Sequence, residues 1–101
     1  MDFSIRITEA ALANFEEILD YSWVSFPATA ERFGNAVLNH LDLLKNFPYI
    51  GSPVEGRPGV RQLVHTPILI YYRVDESQRV VKILHFWHGS RSPRFEAPSR
   101  P

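Results

Sequence analysis

Three prolines and three glycines fall within twelve residues in the middle of the chain, at positions 48, 53 and 58 and at 51, 56 and 59. Proline fixes φ and lacks an amide donor, and glycine is the residue of tight turns, so neither a helix nor a central strand passes through such a stretch. The chain is thereby divided in two, and the halves carry different periodicities. Before the break, Phe3, Ile5 and Ile7 alternate with Asp2, Ser4 and Arg6, the period of a half-buried strand. Thr8 offers a hydroxyl cap to a following helix, with Glu9 at the positive end of its dipole. Leu12, Phe15, Leu19, Trp23 and Phe26 recur at three and four, flanked by Ile18 and Ser22. Pro27 ends that helix and suits the first turn of the next. Ala30, Phe33, Val37, Leu41 and Leu44 then form a second stripe that stops at Asn46-Phe47-Pro48. Helices joined this tightly fold back as a hairpin and share a core.

After the break come three apolar runs at 60–65, 68–74 and 80–88, separated by Thr66-Pro67 and by residues 75–79. Connections that short make them consecutive antiparallel neighbours. The expected fold is α+β: an N-terminal strand and a helical hairpin packed on one face of a small, mainly antiparallel sheet. A chain of 101 residues has room for one core, which places one domain at 1–91 and a proline-containing tail at 92–101. Ile68-Leu69-Ile70-Tyr71-Tyr72 and Ile83-Leu84-His85-Phe86-Trp87 are apolar on both faces, yet the hairpin covers only one. A second apolar face marks an interaction site, the alternative being that the loop and the tail cover it. Arg61, Leu63 and His65 share one face of their strand, as Leu69, Tyr71 and Arg73 do of theirs, and arginine and tyrosine among aliphatic residues suit a partner surface.

The net charge of zero hides an asymmetry. Residues 1–56 carry eight acids and three bases, a balance of −5, and residues 57–101 carry three acids and eight bases, a balance of +5. The basic working surface is therefore expected on the C-terminal half, although a protein living on nucleic acid is usually basic overall. With no cysteine, a disulfide framework, a thiolate nucleophile and a Cys-based zinc site are excluded. Met1-Asp2-Phe3-Ser4-Ile5-Arg6 lacks the basic start and apolar run of a signal peptide, and no stretch approaches the ~20 apolar residues of a membrane span, so a cytoplasmic home without a membrane partner is expected. His85 and His88 are three apart on a strand and point to opposite faces, while His40 lies on a helix and His65 on another strand. Without an H-E-x-x-H pattern, no metal and no cofactor are expected. There is no G-x-S-x-G elbow and no phosphate-cradling glycine loop, and Glu16-Glu17 and Asp75-Glu76 read as solvated pairs. Arg91 follows a strand end and a glycine, where a guanidinium is presented at a rigid edge to a carboxylate or phosphate.

The order of these elements carries a resemblance. A strand, a helical hairpin with Ala30-Glu31-Arg32-Phe33 in its second arm, Pro48-x-x-Gly51, Gly59-Val60-Arg61, Ile70-Tyr71-Tyr72-Arg73-Val74 and Val81-x-Ile83-Leu84-x-x-x-His88-Gly89-x-Arg91 together resemble the RelE/ParE superfamily of toxin–antitoxin toxins over residues 1–91. The resemblance implies a cytoplasmic bacterial toxin neutralised by a cognate antitoxin that wraps it, in a hetero-oligomer. RelE-like members cut mRNA in the ribosome with several basic residues and often a late tyrosine or histidine; ParE-like members keep the fold, lack that set and poison DNA gyrase. Here the strand at 60–65 offers only Arg61, Leu69 stands near the position of a catalytic arginine, and Ser92-Pro93-Arg94-Phe95 follows Arg91 with no later tyrosine or histidine. Arg91 matches the family's C-terminal arginine. The resemblance therefore favours the ParE branch, with Arg61, Tyr71, Arg73, His88, Arg91 and Arg94 as target- or partner-binding residues and no catalytic set. The alternatives are a ribosome-dependent mRNA endonuclease, with Arg61, Arg73 and Arg91 on the phosphate and His65, His85 or His88 as acid or base, and a degenerate member that only binds its antitoxin.

Overall fold

Thr8 joins three elements at once. The computed structural model describes residues 2–23 and 27–89, and in it strand β1 (Ser4–Ile7) runs directly into helix α1 (Glu9–Trp23). The Thr8 hydroxyl accepts from Ala11 N–H at 3.1 Å, the N-cap its position promised, and donates to the Ile83 carbonyl at 3.0 Å. Ile83 belongs to β5 (Val80–His88), the strand with which β1 pairs in parallel, Ile7 opposite Ile83. One turn further on, Asn14 Oδ1 accepts from Phe86 N–H at 2.6 Å and satisfies a β5 donor beyond the end of β1. Phe15 stacks on Phe86 with ring centroids 4.6 Å apart.

The buried stripe of α1 is Ala11, Phe15 and Ile18, with Leu19 partly buried. Leu12, expected in that stripe, is 46% exposed; the Thr8 cap and the Phe15–Phe86 stack rotate the helix so that Ala11 takes the closest approach. Phe26 and the side chain of Trp23 lie outside the described residues. Helix α2 (Pro27–Leu41) begins at the expected proline and buries Val37 and Leu41. Where the sequence suggests a continuous helix to 46, the chain turns at Asp42 and resumes as the short helix α3 (Leu43–Asn46), burying Leu44. Lys45 O then accepts from Phe3 N–H at 2.8 Å, closing the hairpin back onto β1.

The remaining strands are β2 (Ser52–Pro53), β3 (Val60–His65) and β4 (Ile68–Asp75). Among the described residues they form one sheet in the order β1-β5-β4-β3-β2, antiparallel except for β1 with β5. This is the expected α+β architecture. The two-residue strand β2 was hidden inside the proline–glycine stretch, and the Thr66-Pro67 bond that turns β3 into β4 is cis. The helices cover one face, where Leu63, Ile68, Ile70, Tyr72, Val81, Ile83 and Phe86 meet the α1 and α2 stripes.

Ile83 and Phe86 are both fully buried on that face although they are three residues apart, which strict alternation forbids. A bulge resolves the conflict. Tyr71 pairs with His85 and Tyr72 with Ile83, so Leu84 is an extra residue and the parity of β5 reverses after it. This core is close-packed, and Leu41→Ala is expected to destabilise the fold by about 2–5 kcal/mol through an apolar cavity. Urea denaturation followed by circular dichroism measures that loss.

Candidate functional site

Register assigns every strand side chain to a face. Leu63 pairs with Ile70, Arg61 with Tyr72 and His65 with Ile68, so Arg61, Leu63 and His65 point to the helical side. Val60, Gln62 and Val64 pair with Arg73, Tyr71 and Leu69, which in turn lie opposite Lys82, His85 and Trp87. These nine residues line the face away from the helices, the open face, although Val60 and Tyr71 in it are buried. The two groups read from the sequence as one partner surface, Arg61-Leu63-His65 and Leu69-Tyr71-Arg73, are therefore on opposite faces. The reason is the pairing offset at the Thr66-Pro67 turn, which odd-numbered positions on both strands cannot reveal.

The open face is aromatic at its centre. The Tyr71 and His85 rings are 6.4 Å apart, and His85 stacks with Trp87 at 5.7 Å and 28°. Burial, reinforced by the Arg57 guanidinium, holds His85 below the ordinary imidazole range. The proline–glycine loop thus sets Arg57 close enough to act on His85. Arg73 is exposed and leans along the same loop: its guanidinium donates to Pro58 O at 3.4 Å, and a Cβ on Gly59 would come within 2.5 Å of its Nη1. Gly59 has φ +81°, so it serves both the turn and the arginine. Val64, 50% exposed, adds an apolar edge.

Arg61 has a different occupation. Its guanidinium donates to Gly51 O at 2.6 Å and Tyr49 O at 3.2 Å and lies 5.0 Å over the Tyr49 ring. Gly51 N–H donates to the Tyr72 hydroxyl at 2.9 Å, and an added Cβ there would sit 2.6 Å from Gln62 O, so only glycine fits. The Tyr49 hydroxyl donates to Glu76, a bond that raises the phenol's pKa. Arg61, Tyr49 and Tyr72 thus clamp the loop to the sheet. Asp75, read as solvated, accepts from Ser77 Oγ at 2.8 Å and Gln78 N at 3.1 Å, which lowers its pKa and closes the β4–β5 turn.

The histidines separate as alternation requires. His85 is on the open face; His88, opposite Ile68, lies beside Asn14 and Glu17 in a cleft of about 110 Å³. His65 meets His40 of α2, Nδ1 to Nδ1 at 2.8 Å. Arg91 and Arg94 lie outside the described residues. Of the sequence-derived set, Tyr71, Arg73 and His85 are brought together, whereas Arg61, His65 and His88 are not with them. Gln62, Lys82 and Trp87 are additional open-face residues, with Arg57 close enough to act on His85; Trp87 follows from its pairing with Leu69, but nothing in the sequence marks Arg57. A separate groove of about 540 Å³ runs along β1, floored by Ile5, Ile7, Leu38 and Leu41. Among the described residues no group of three or more His, Cys, Asp or Glu is placed to hold a metal ion, and no helix is long and apolar enough to cross a membrane.

Residues 5–93 match the family described as the ParE toxin of type II toxin–antitoxin system, parDE. The chain belongs to the ParE toxin family. Similar solved structures include the chromosomal ParDE toxin–antitoxin system of P. aeruginosa, 25% identical over 85% of this chain and 95% of that one, with a TM-score of 0.73. The RelBE2 toxin–antitoxin complex of Mycobacterium tuberculosis is 19% identical over 87% of this chain and 99% of its own, with a TM-score of 0.62. The isolated E. coli RelE toxin is 16% identical over 95% and 94%, with a TM-score of 0.57. No match is found among curated proteins. As a ParE-family toxin, the chain keeps the shared fold while its two described candidate arginines take different roles. Arg61→Ala is expected to destabilise the protein by about 1.5 kcal/mol, the low end for charge-assisted bonds at a half-exposed site. Arg73→Ala is expected to stay within about 0.5 kcal/mol of the wild type. The two midpoints in urea check this contrast.

Proposed function

We propose that this ParE-family toxin acts in the cytoplasm by binding and poisoning DNA gyrase through the open face of its sheet, and that a cognate antitoxin neutralises it. The observation that carries the reading is the position of Arg61. A phosphate-handling nuclease site needs converging cations and a proton acceptor. Strand β3 has one basic side chain besides His65, and that side chain is committed to the carbonyls of Tyr49 and Gly51 on the other side of the sheet. On the open face β3 presents Val60, Gln62 and Val64 instead. Aromatic rings, an exposed valine and rim cations are the composition of a protein-binding surface: Val64 and Arg73 are exposed on it, Tyr71 is buried within it, and Arg91 and Arg94 follow in sequence. The antitoxin reading is supported by the likeness to the ParDE and RelBE2 toxin–antitoxin structures, and the apolar groove along β1 is a second place for such a partner.

Purified toxin is expected to inhibit gyrase supercoiling or trap cleaved DNA, with inhibition relieved by antitoxin. Failure in both assays, with new 5′ ends on translated mRNA after induction, would replace this reading by the endonuclease; absence of growth arrest would leave a chain that only binds its antitoxin. Arg91→Ala is expected to weaken toxicity more than antitoxin binding, as read by growth and by titration with antitoxin. Equal loss of both would make the residue structural.

A further inference from the structure

Two imidazoles meet where the helical hairpin is seated on the sheet. His40, on α2 between the buried Val37 and Leu41, and His65, the last residue of β3, face one another Nδ1 to Nδ1 at 2.8 Å, with ring centroids 4.9 Å apart. Phe33 meets the His65 ring edge-on at 5.5 Å. A contact of that length between ring nitrogens requires one N–H and one lone pair, so it exists while the pair holds a proton at one of the facing nitrogens and a lone pair at the other. If both rings are protonated, each turns an N–H and a positive charge toward the other.

We infer that the His40–His65 pair is a proton-operated latch between α2 and β3, closed while one facing nitrogen keeps its lone pair and opened when both rings are protonated. The surrounding charges are directed elsewhere. On β3, Arg61 is turned to the loop carbonyls; on α3, Lys45 pairs with Asp42 at 3.4 Å; on α2, Glu31 and Arg32 are exposed at the start of the helix; β4 presents the fully buried Ile68. Burial first, and then His40, hold His65 below the usual imidazole range. The sign follows from linkage. The open or unfolded chain binds more protons than the closed one, so the latch's contribution is complete above the unperturbed value of about 6.5 and is lost as pH falls through the depressed one. His85, also depressed, adds a global loss of stability of the same sign from the other face.

A titration of the histidine ring signals by NMR, with amide hydrogen exchange at pH 7.5 and 5, tests the latch in the intact chain. The His65 signal is expected to titrate below the usual imidazole range, and to move back toward it in His40→Gln. Exchange at residues 37–41 and 63–65, corrected for its intrinsic pH dependence, is expected to rise by up to about tenfold per pH unit between the ordinary imidazole value and the depressed one, and to level off below it. His40→Gln and His65→Gln, which keep a polar partner but remove one charge, are expected to abolish that local rise, and His85→Gln to leave it. An ordinary His65 titration in the wild type overturns the inference. So does an equal rise in exchange in the two latch variants. The wild-type titration decides the matter even if a variant fails to fold.

Discussion

Leu84, the extra residue of β5 opposite the Tyr71–Tyr72 step, decides which side chains reach the helices and which line the open face. Without it, His85 would follow Ile83 into the core and Phe86 would face away. The reversal lets Phe86 stack on Phe15 while its amide is capped by Asn14, so one bulge locks α1 to β5. It also sets His85 and Trp87 beside Tyr71 on the other side. Core and candidate binding surface therefore depend on the same irregularity, as bulges beside functional sites generally do.

Much of the fold was legible in the sequence because its signals are local. The Thr8 cap, the Pro27 break between helices, the limits of β3 and β5, and the opposite faces of His85 and His88 follow from spacing and side-chain chemistry alone. What was not legible depends on pairing between distant segments. Parity within β3 and within β4 was correct, but which parity of one matches which of the other is set by a turn whose register no single strand encodes. For that reason Arg61 and Arg73 were grouped when the sheet separates them. Leu12 was placed in the core for a related reason: a helix stripe two residues wide leaves its rotation to tertiary contacts.

The proline–glycine stretch turned out to be more than a divider. Arg61, Tyr49 and Tyr72 hold its first part through Gly51, and its second part brings Arg57 to His85 and Pro58 to Arg73. Arg61 of β3 anchors the loop, and the loop carries Arg57 close enough to act on His85. In a ParE-family toxin this arrangement leaves a surface of rings and rim cations rather than a converging set of catalytic bases. A shared sheet architecture does not by itself fix an activity, which rests on the side chains that one face presents.

The central claim is that gyrase is met by the open face and not by the helices. Photo-crosslinking tests it most directly, with a photoreactive residue at position 64 on the open face or at position 12 on the exposed side of α1, each about half exposed in the native chain. Mixed with gyrase, the toxin labelled at 64 is predicted to form a covalent adduct that antitoxin competes away, and the toxin labelled at 12 to form none. An adduct from 12 and none from 64 would contradict the account.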